Sequence, residues 1–358
     1  MTSVTSTSRW LRTLRVAAGL VLGLAASYAA SPGTGAPAVG PLRPPTARVV
    51  IVEDPGATEF FQPRADRVRA MLARGITNFT GQATTKAAWL SLVSSNDVVG
   101  LKVYSAAGPL AGTRVAVVAA VVEDLLAAGL PPTNIVVWDK RHDDLQQAGY
   151  GHLAVRYGVR VESSTGAGFD TAQFYENSLI GRLVFSDAEF GQETGAVAGR
   201  KSFVTRLLTS DITKIINLSP LLNNDLAGVC GNLYSLALGS VDNTLRFEQN
   251  GNRMSVAVPD IYSLPALFDH VVLNITDALI CQFVGSKSAM LHYATPLNQL
   301  RFSTDAVALD VLSIRELQRQ RGRSGVAQLG ANMELYQNAA LIELGVNDPE
   351  RIQVETIR

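Results

Sequence analysis

Hydrophobic positions after residue 46 follow two patterns that alternate along the chain. Short runs rich in valine and isoleucine predict buried strands, and longer stretches with apolar residues three or four positions apart predict helices. The predicted strands are 47–53, 97–104, 134–140, 158–163, 212–220, 269–279 and 350–357. The predicted helices are 64–75, 84–93, 112–129, 144–150, 228–241, 259–268, 306–314 and 332–344.

This alternation predicts an α/β fold with a mostly parallel sheet and helices on both faces. Strands joined by helical crossovers run in the same direction, and the helices cover the sheet. The stretch 164–210 is less regular and rich in Gly, Ser and Thr, which suits hairpins or a cap over the sheet. No internal repeat and no linker is recognisable after residue 47, so residues 47–358 are predicted to form a single domain.

The first 46 residues have a different character. Residues 1–15 hold three arginines and no acid, Val16–Ala30 carry no charge, and small residues end that run. This order predicts a secretory signal peptide at 1–30, followed by a Pro/Gly-rich linker at 31–46. The apolar run is shorter than the roughly 20 residues of a membrane span, and an uncleaved anchor is the alternative. The expected location is the periplasm, the cell envelope or the extracellular space.

Composition excludes several classes of protein. A hydrophobic content of 47% and a charged content of 17% provide for a large core and argue against disorder. Basic and acidic residues number 31 each and form no basic block, so no nucleic-acid partner is expected. Cys230 and Cys281 are too few for a disulfide framework. The four histidines show no metal-ligand spacing, and no metal site is predicted.

Several stretches together resemble a known family. They are "VVGLKVY", "NIVVWDKRHDDLQQAGY", "KIINLSPLLNNDLAGVCGNLYSLALGSVDN", "NITDAL", "RFSTDAVALD" and "LIELGVNDPERIQV", and they extend in that order over most of 47–358. The chain resembles an uncharacterised family associated with iron–sulfur centres and catalogued as domain of unknown function 362. No single stretch is a strong signature, and the resemblance depends on their joint order.

The chain also departs from that family's pattern. Many members carry a lysine and a histidine where this chain has Leu222 and Asn224, and a later Lys-Asn pair corresponds here to Tyr234-Ser235. Members that bind an iron–sulfur cluster do so through an added cysteine-rich segment. A [4Fe–4S] cluster usually takes four thiolates, and two distant cysteines cannot supply them. An iron–sulfur cluster is therefore not expected, and the sequence indicates no other cofactor.

Polar residues at predicted strand ends are the candidate site residues, because parallel sheets bind ligands outside the carboxyl ends of their strands. The predicted catalytic residues are Lys102, Asp139 and Asp277. The predicted ligand-binding residues, several of them in the Gly-rich turn "SPLLNNDLAGVCGN", are Asn217, Asn223, Asn224, Asn232 and Asp305.

Most of these candidates also have a structural interpretation. Lys102, in an apolar strand, either pairs with carboxylates at the strand ends or extends to the surface. Asp277 either pairs with Lys102 or caps a following helix. Asp143 and Asp144 suit a helix N-terminus better than a cation site.

The stretch "RFSTDAVALD" contains two further carboxylates. Ser303 or Thr304 is a suitable N-cap, which places Asp305 in the first helical turn. Asp310 is five residues further on, about 140° around the helix from Asp305, so the two carboxylates cannot act as a pair. Pairing of Asp310 with a basic neighbour such as Arg315 is the expectation.

Two functions fit these observations. The first is an exported enzyme that acts on a small, anionic metabolite or cell-envelope component. The alternative is a secreted ligand-binding or scaffold protein without turnover, which the departures from the family's lysine and histidine positions favour. A small molecule is the expected partner in the first case, and any membrane contact is expected only through an uncleaved N-terminal segment.

Overall fold

The computed structural model describes residues 45–177, 199–286, 288–328, 330 and 332–358. Within it, Pro45–Arg358 form one compact unit. The predicted signal peptide, and all but the last two residues of the predicted linker, lie outside the described residues. Among the described residues, no helix is both long enough and apolar enough to cross a membrane.

The strands follow most of the predicted apolar runs. In chain order they are β1 (Ala47–Glu53), β2 (Thr58–Glu59), β3 (Gln62–Pro63), β4 (Val99–Val103), β5 (Ile135–Asp139), β6 (Arg160–Ser163), β7 (Phe169–Glu176), β8 (Lys201–Thr205), β9 (Lys214–Asn224), β10 (Gly228–Val229), β11 (Val271–Gln282), β12 (Ala294–Ser303) and β13 (Ile352–Ile357).

The helices are interspersed among them. They are α1 (Ala65–Thr80), α2 (Thr85–Leu90), α3 (Gly108–Ala111), α4 (Val115–Ala128), α5 (His142–Gln147), α6 (Gly151–Tyr157), α7 (Ser164–Ala167), α8 (Asn232–Ser240), α9 (Leu245–Glu248), α10 (Gly251–Tyr262), α11 (Pro265–Phe268), α12 (Ala306–Arg323) and α13 (Glu334–Leu341).

One large sheet organises the molecule, in the order β13-β1-β12-β11-β9-β4-β5-β6. All its neighbouring pairs are parallel except those of β12, which runs antiparallel to both β1 and β11. β10 folds back on the end of β9, and β7 and β8 form a separate hairpin. The predicted mostly parallel α/β sheet is therefore confirmed.

Successive residues of each strand point to opposite faces, and both faces are covered. On β5, Val136 and Trp138 belong to one hydrophobic cluster, whereas Ile135 and Val137 belong to another. Residues of α8, α10, α12 and α13 fill the first cluster, and residues of α1, α2 and α4 fill the second. The prediction of helices on both faces is confirmed.

Several predicted boundaries are wrong. The predicted helix 228–241 begins with β10, and the predicted helix 259–268 is the end of α10 followed by α11. α1 continues through Gly75 to Thr80, because Gly75 lets the helix lie against the ring of Phe302 and does not end it. β9 and β11 extend to Asn224 and Gln282, since neighbouring strands continue to pair with them. Asp277, predicted at a strand end, therefore lies inside β11.

β12 is a strand that the sequence pattern did not reveal. The stretch 296–304 was expected only to lead into the following helix, and its mixture of Asn, Gln and Arg does not show the alternation of a half-buried strand. Hydrogen bonding to β1 on one side and to β11 on the other makes it a strand. Long-range pairing decides the conformation here.

Candidate functional site

A cavity of about 360 Å³ opens at the carboxyl end of β4 and β5. Its walls come from the turn after β4, the end of β5, α7, α8 and the segment that leads into α9. The lining residues are Tyr104, Ala106, Asp139, Lys140, Arg141, Asp144, Thr165, Phe169, Tyr234, Ser235, Leu238, Gly239, Asp242, Asn243, Thr244, Leu245 and Glu248. We refer to it as the Tyr104 cavity.

Asp139 lines the Tyr104 cavity and forms an ion pair with Lys102, which is buried behind it and is not a lining residue. Leu101 and Val103 pack on the opposite face of the sheet, so the strand's alternation turns Lys102 toward the cavity side. Its Nζ lies 2.8 Å from Asp139 Oδ1 and 5.5 Å from the centre of the Trp138 ring. Lys102 is fully buried, and Asp139 is 5% exposed.

The ammonium group of Lys102 has three partners. Besides Asp139, it donates to the carbonyl of Val103 at 2.6 Å and to Ser235 Oγ at 3.1 Å. Three acceptors match the three N–H donors of an ammonium group. Burial lowers the pKa of Lys102, and the neighbouring Asp139 carboxylate partly offsets this effect. Each ammonium proton of Lys102 therefore has an acceptor inside the protein.

Asp139 is also well bonded. Its Oδ2 accepts from the backbone N–H of Ser105 at 2.7 Å and from the Ser105 hydroxyl at 2.6 Å. Its Oδ1 accepts from the backbone N–H of Lys140 at 2.8 Å. The Asp139 carboxylate, at the end of β5, thereby connects the turn that follows β4 to the turn that follows β5.

Helix α8 covers this ion pair at very short range. Ser235 and Gly239 are four residues apart and so lie on the same face of the helix. A Cβ at Gly239 would lie 2.2 Å from Lys102 Cε and 3.1 Å from Asp139 Oδ1. Glycine at this position is what allows the helix backbone to lie directly over the Lys102–Asp139 pair.

Two polar atoms of the lining residues have no nitrogen or oxygen partner among the described residues, although the Tyr104 hydroxyl is hydrogen-bonded to the Cys230 thiol. The hydroxyl of Tyr104 and Oδ1 of Asn243 are buried without a hydrogen bond to any nitrogen or oxygen of the described residues. Tyr104 is 6% exposed, and Asn243 is 1% exposed. Burial, together with neighbouring Cys230 and Tyr234, raises the pKa of Tyr104 well above its usual value. The phenol is therefore a neutral hydrogen-bond donor.

The lining of the cavity carries charges of both signs. The carboxylates of Asp144, Asp242 and Glu248 join that of Asp139, and Lys140 and Arg141 are the cations of the lining. Lys140 Nζ donates to Thr244 Oγ1, which in turn donates to Glu248. Carboxylates outnumber cations, so the lining is not an anion-binding surface by charge.

Asp277 does not line the Tyr104 cavity, and the predicted pairing of Asp277 with Lys102 is wrong. Asp277 Oδ2 lies 3.1 Å from Arg114 Nη1 and accepts from the backbone N–H of Arg114 at 2.9 Å. Its Oδ1 accepts from the backbone N–H of Leu279. Asp277 thus attaches the start of α4 to β11, and no helix follows it in sequence for it to cap.

Asn217 and Asn232 belong to a buried polar network between the sheet and α8. Asn217 Nδ2 donates to Asn274 Oδ1 and to the carbonyl of Asn232, both at 3.0 Å. Ser219 Oγ donates to Asn232 Oδ1 at 2.9 Å. These bonds stay inside the protein, and neither asparagine lines the Tyr104 cavity.

Asp310 caps the start of α8, and its predicted pairing with a basic neighbour is wrong. Its two carboxylate oxygens accept from the backbone N–H groups of Asn232 and Leu233 at 2.7 and 3.0 Å. A carboxylate is stabilised at a helix N-terminus by free N–H groups. Burial raises the pKa of Asp310 to about 7, although these donors act in the opposite direction.

The remaining predicted ligand-binding residues shape turns and caps. Asn224 Oδ1 accepts from the backbone N–H groups of Leu226 and Ala227 in the β9–β10 hairpin. Asn223 Oδ1 accepts from the backbone N–H of Ser286.

Asp305 is itself the N-cap of α12 and also accepts from the backbone N–H of Val346. It takes the capping role that was predicted for Ser303 or Thr304, because its carboxylate reaches the N–H of Ala308.

The acidic run after β5 follows its structural interpretation. Asp143 and Asp144 lie in the first turn of α5, as predicted, although Asp144 also lines the cavity. No cluster of His, Cys, Asp or Glu suited to a metal ion occurs among the described residues.

The structure thus brings together Lys102 and Asp139, and adds residues that the sequence did not single out. Tyr104 follows Lys102 by two positions, directly after β4. A search for polar residues at strand ends could therefore have found it. No feature of the sequence pointed to Asn243, because its place in the lining depends on a turn between two short helices.

The fold and the site define an α/β protein with a small polar cavity at the carboxyl edge of its sheet. No protein-family model matches the chain, and no curated protein matches it. Among solved structures, it is similar to a Thermotoga maritima protein studied by the Northeast Structural Genomics Consortium. The identity is 10% and the TM-score 0.41, over 75% of this chain and 61% of that one.

Proposed function

We propose that the protein binds a small molecule in the Tyr104 cavity. The observation that carries this proposal is the place of the cavity, at the carboxyl ends of β4 and β5 with Asp139 in its lining. Ligands of parallel sheets gather at this edge. A volume of about 360 Å³ lies within the range of small-molecule pockets.

Binding without turnover is the function that the geometry supports best. Lys102 has an acceptor for each of its three ammonium protons, and it must lose one of them before it can take part in proton transfer. Asp139 likewise accepts hydrogen bonds from Ser105 and Lys140. Groups bonded in this way hold a cavity in shape.

An enzyme is the second candidate, and one observation favours it. Lys102 is a buried lysine whose pKa is lowered by burial, and such lysines serve as general bases or nucleophiles. Ser235 connects its ammonium group to the lining. In that case Lys102 and Asp139 are the acid–base groups.

We also propose that the protein acts outside the cytoplasm, because its N-terminal sequence resembles a secretory signal peptide. The resemblance to domain of unknown function 362 is part of the same proposal, and it leaves the substrate unassigned. The chain carries two cysteines, so the iron–sulfur association of that family is not extended to this protein.

A variant in which the Tyr104 cavity is blocked tests the binding proposal. Ala106 is exposed and lines the cavity, so Ala106→Trp should fill the mouth without disturbing the core. We expect this variant to lose all hits from a small-molecule fragment library screened by saturation-transfer NMR. Ala127→Trp, at an exposed position of α4 that does not line the cavity, is the matched control and should keep them.

Equal binding by wild type and Ala106→Trp would contradict the proposal. Each hit that Ala106→Trp abolishes is then incubated with the wild-type protein and followed by mass spectrometry. A ligand that is recovered unchanged supports a binding protein. A ligand that wild type transforms and Lys102→Met does not transform supports the enzyme.

A further inference from the structure

We propose that the ligand of the Tyr104 cavity is a small organic cation, with an ammonium group attached to an apolar skeleton. This inference rests on the proposed function, that the cavity binds a small molecule, and deepens it by naming the chemical class. It is carried by the excess of carboxylates in the lining, by the depth at which they lie and by the aromatic side chains among them.

Carboxylates outnumber cations in the lining of the cavity. The charged side chains of the lining are Asp139, Asp144, Asp242, Glu248, Lys140 and Arg141. Lys102 lies behind the lining, 2.8 Å from Asp139, and compensates the charge of that carboxylate. With this pair counted as neutral, three carboxylates still face two cations, so the lining keeps a net negative charge.

The negative charge also lies deeper than the positive charge. Asp139 and Asp242 are each 5% exposed, whereas Lys140 is half-buried and Arg141 is exposed. Water and salt screen a charge at the surface, and they screen a buried charge much less. A ligand inside the cavity therefore interacts more strongly with the buried carboxylates than with the exposed arginine.

Asp144 and Asp242 are the carboxylates on which the proposal depends. Lys140 is linked to Glu248 through the hydroxyl of Thr244, so one cation of the lining is offset by one carboxylate. Asp242 is held in place, since its Oδ1 accepts from a backbone N–H of β8 at 2.7 Å. The charges of Asp144 and Asp242 are then balanced within the lining only by one exposed arginine.

Aromatic rings supply a second kind of contact for a cation. Tyr104, Phe169 and Tyr234 line the same cavity, and the ring centres of the two tyrosines lie 6.3 Å apart. The electron-rich face of an aromatic ring attracts an ammonium group. The same walls give apolar surface to the carbon skeleton of the ligand, and apolar walls with a few polar groups are usual in small-molecule pockets.

These features favour an organic cation over a metal ion and over an anion. In the described part of the chain, no group of His, Cys, Asp or Glu is placed to hold a metal ion. A volume of about 360 Å³ has room for a carbon skeleton as well as its charged group. The anionic ligand expected from the sequence gives way to a cationic one in this proposal, because the lining would surround an anion with like charge.

The experiment compares probes that share a shape and differ in charge. Benzylamine, benzyl alcohol and benzoate are cationic, neutral and anionic at neutral pH. Choline and 3,3-dimethylbutanol form a second pair, in which carbon replaces the charged nitrogen. In NMR titrations of the full chain at low ionic strength, we expect a cation to bind at least about tenfold more tightly than its neutral counterpart, a difference of about 1.4 kcal/mol. Added salt should weaken only the charged probes.

Neutralising variants locate the charge that the cation meets. Asp144→Asn and Asp242→Asn should each weaken the cationic probe by about tenfold or more, the usual scale for a lost contact with a charged group, and leave the neutral probe unaffected. The substitution at 242 keeps an oxygen for the N–H of β8. Asp143→Asn is the matched control, since Asp143 is exposed in the same turn of α5 and is not a lining residue. Its affinity should not change.

The outcomes separate this inference from the proposed function. A cation that binds no more tightly than its neutral counterpart overturns the ligand class, and so does unchanged affinity for the cation in both Asp144→Asn and Asp242→Asn. If no probe binds but library fragments bind and are lost in Ala106→Trp, the cavity stands, and the class is wrong unless those fragments are mainly cations. Binding that survives Ala106→Trp lies elsewhere and contradicts both proposals. If nothing binds at all, the proposed function fails and the inference fails with it.

Discussion

Lys102 is a lysine buried completely within a parallel sheet. Such a charge is costly unless it is paired and hydrogen-bonded, and here Asp139, Ser235 and the Val103 carbonyl provide those partners. Asp139 lines the Tyr104 cavity, so this ion pair links the stability of the protein to the shape of its site.

The contribution of the Lys102–Asp139 pair to the free energy of unfolding can be measured. Asp139→Ala leaves the Lys102 ammonium without its counter-charge, and loss of one partner of a buried pair costs about 3–5 kcal/mol. We expect a loss of that size in the free energy of unfolding, measured by urea denaturation. The double variant Lys102→Met/Asp139→Asn removes both charges and keeps an acceptor for Ser105, so it should lose clearly less.

A double variant that is as unstable as Asp139→Ala would contradict this account, because it would mean that packing, and not the unpaired charge, determines the loss. Near-UV circular dichroism of both variants shows whether the native packing is retained before the unfolding energies are compared.

At the scale of elements, the helices are positioned by contacts that are distant in sequence. The first turn of α8 has no local side-chain cap, since Gly231 precedes it. Its N–H groups are bonded instead by Asp310 of α12, and Gly231 makes room for that carboxylate. α8 then lies across the sheet with Ser235 and Gly239 over the Lys102–Asp139 pair.

At two helical glycines we expect substitution by alanine to change the free energy of unfolding in opposite directions. A Cβ at Gly75 of α1 would lie 2.2 Å from the ring of Phe302. Gly75→Ala should therefore lower the free energy of unfolding by about 1–3 kcal/mol, the cost of overpacking. A Cβ at Gly322 of α12 would meet only the end of Gln328, at 3.4 Å, and Gly322→Ala should stabilise by up to about 1 kcal/mol.

Chemical denaturation of both variants beside wild type checks this pair, and each serves as the other's control for the intrinsic gain from glycine to alanine. Stabilisation by Gly75→Ala would show that α1 can move away from the sheet, which contradicts close packing against Phe302.

At the scale of the whole molecule, Pro45–Arg358 form one compact unit with cores on both faces of the sheet. The segment that precedes it carries the export prediction. We expect the mature protein to begin near Ala30, because the basic, apolar and small regions of the first 30 residues have the order of a cleaved signal.

Mass spectrometry of the protein isolated from the cells that produce it checks this expectation. A mature start near Ala30, in the soluble fraction outside the cytoplasm, is the expected result. Recovery of intact residues 1–30 in a membrane fraction would contradict cleavage and favour an uncleaved anchor, and the cytoplasmic soluble fraction is the control for incomplete export.

The sequence by itself determined the class of fold and part of the site. Apolar runs with strand and helix periods are local features, so they predicted a mostly parallel α/β sheet before any contact was known. The rule that ligands gather at the carboxyl ends of strands pointed to Lys102 and Asp139, since each is close to the end of a short buried strand. These predictions needed only local pattern and chain direction.

Only the tertiary structure decided which polar residues meet. Asp277 pairs with Arg114 and not with Lys102, because the order of the strands places β9 between β11 and β4. Asn243 enters the cavity from a turn near α9, and β12 becomes a strand through its neighbours. Side-chain partners depend on strand order, register and helix docking. Those are set by long-range packing, which local periodicity does not contain.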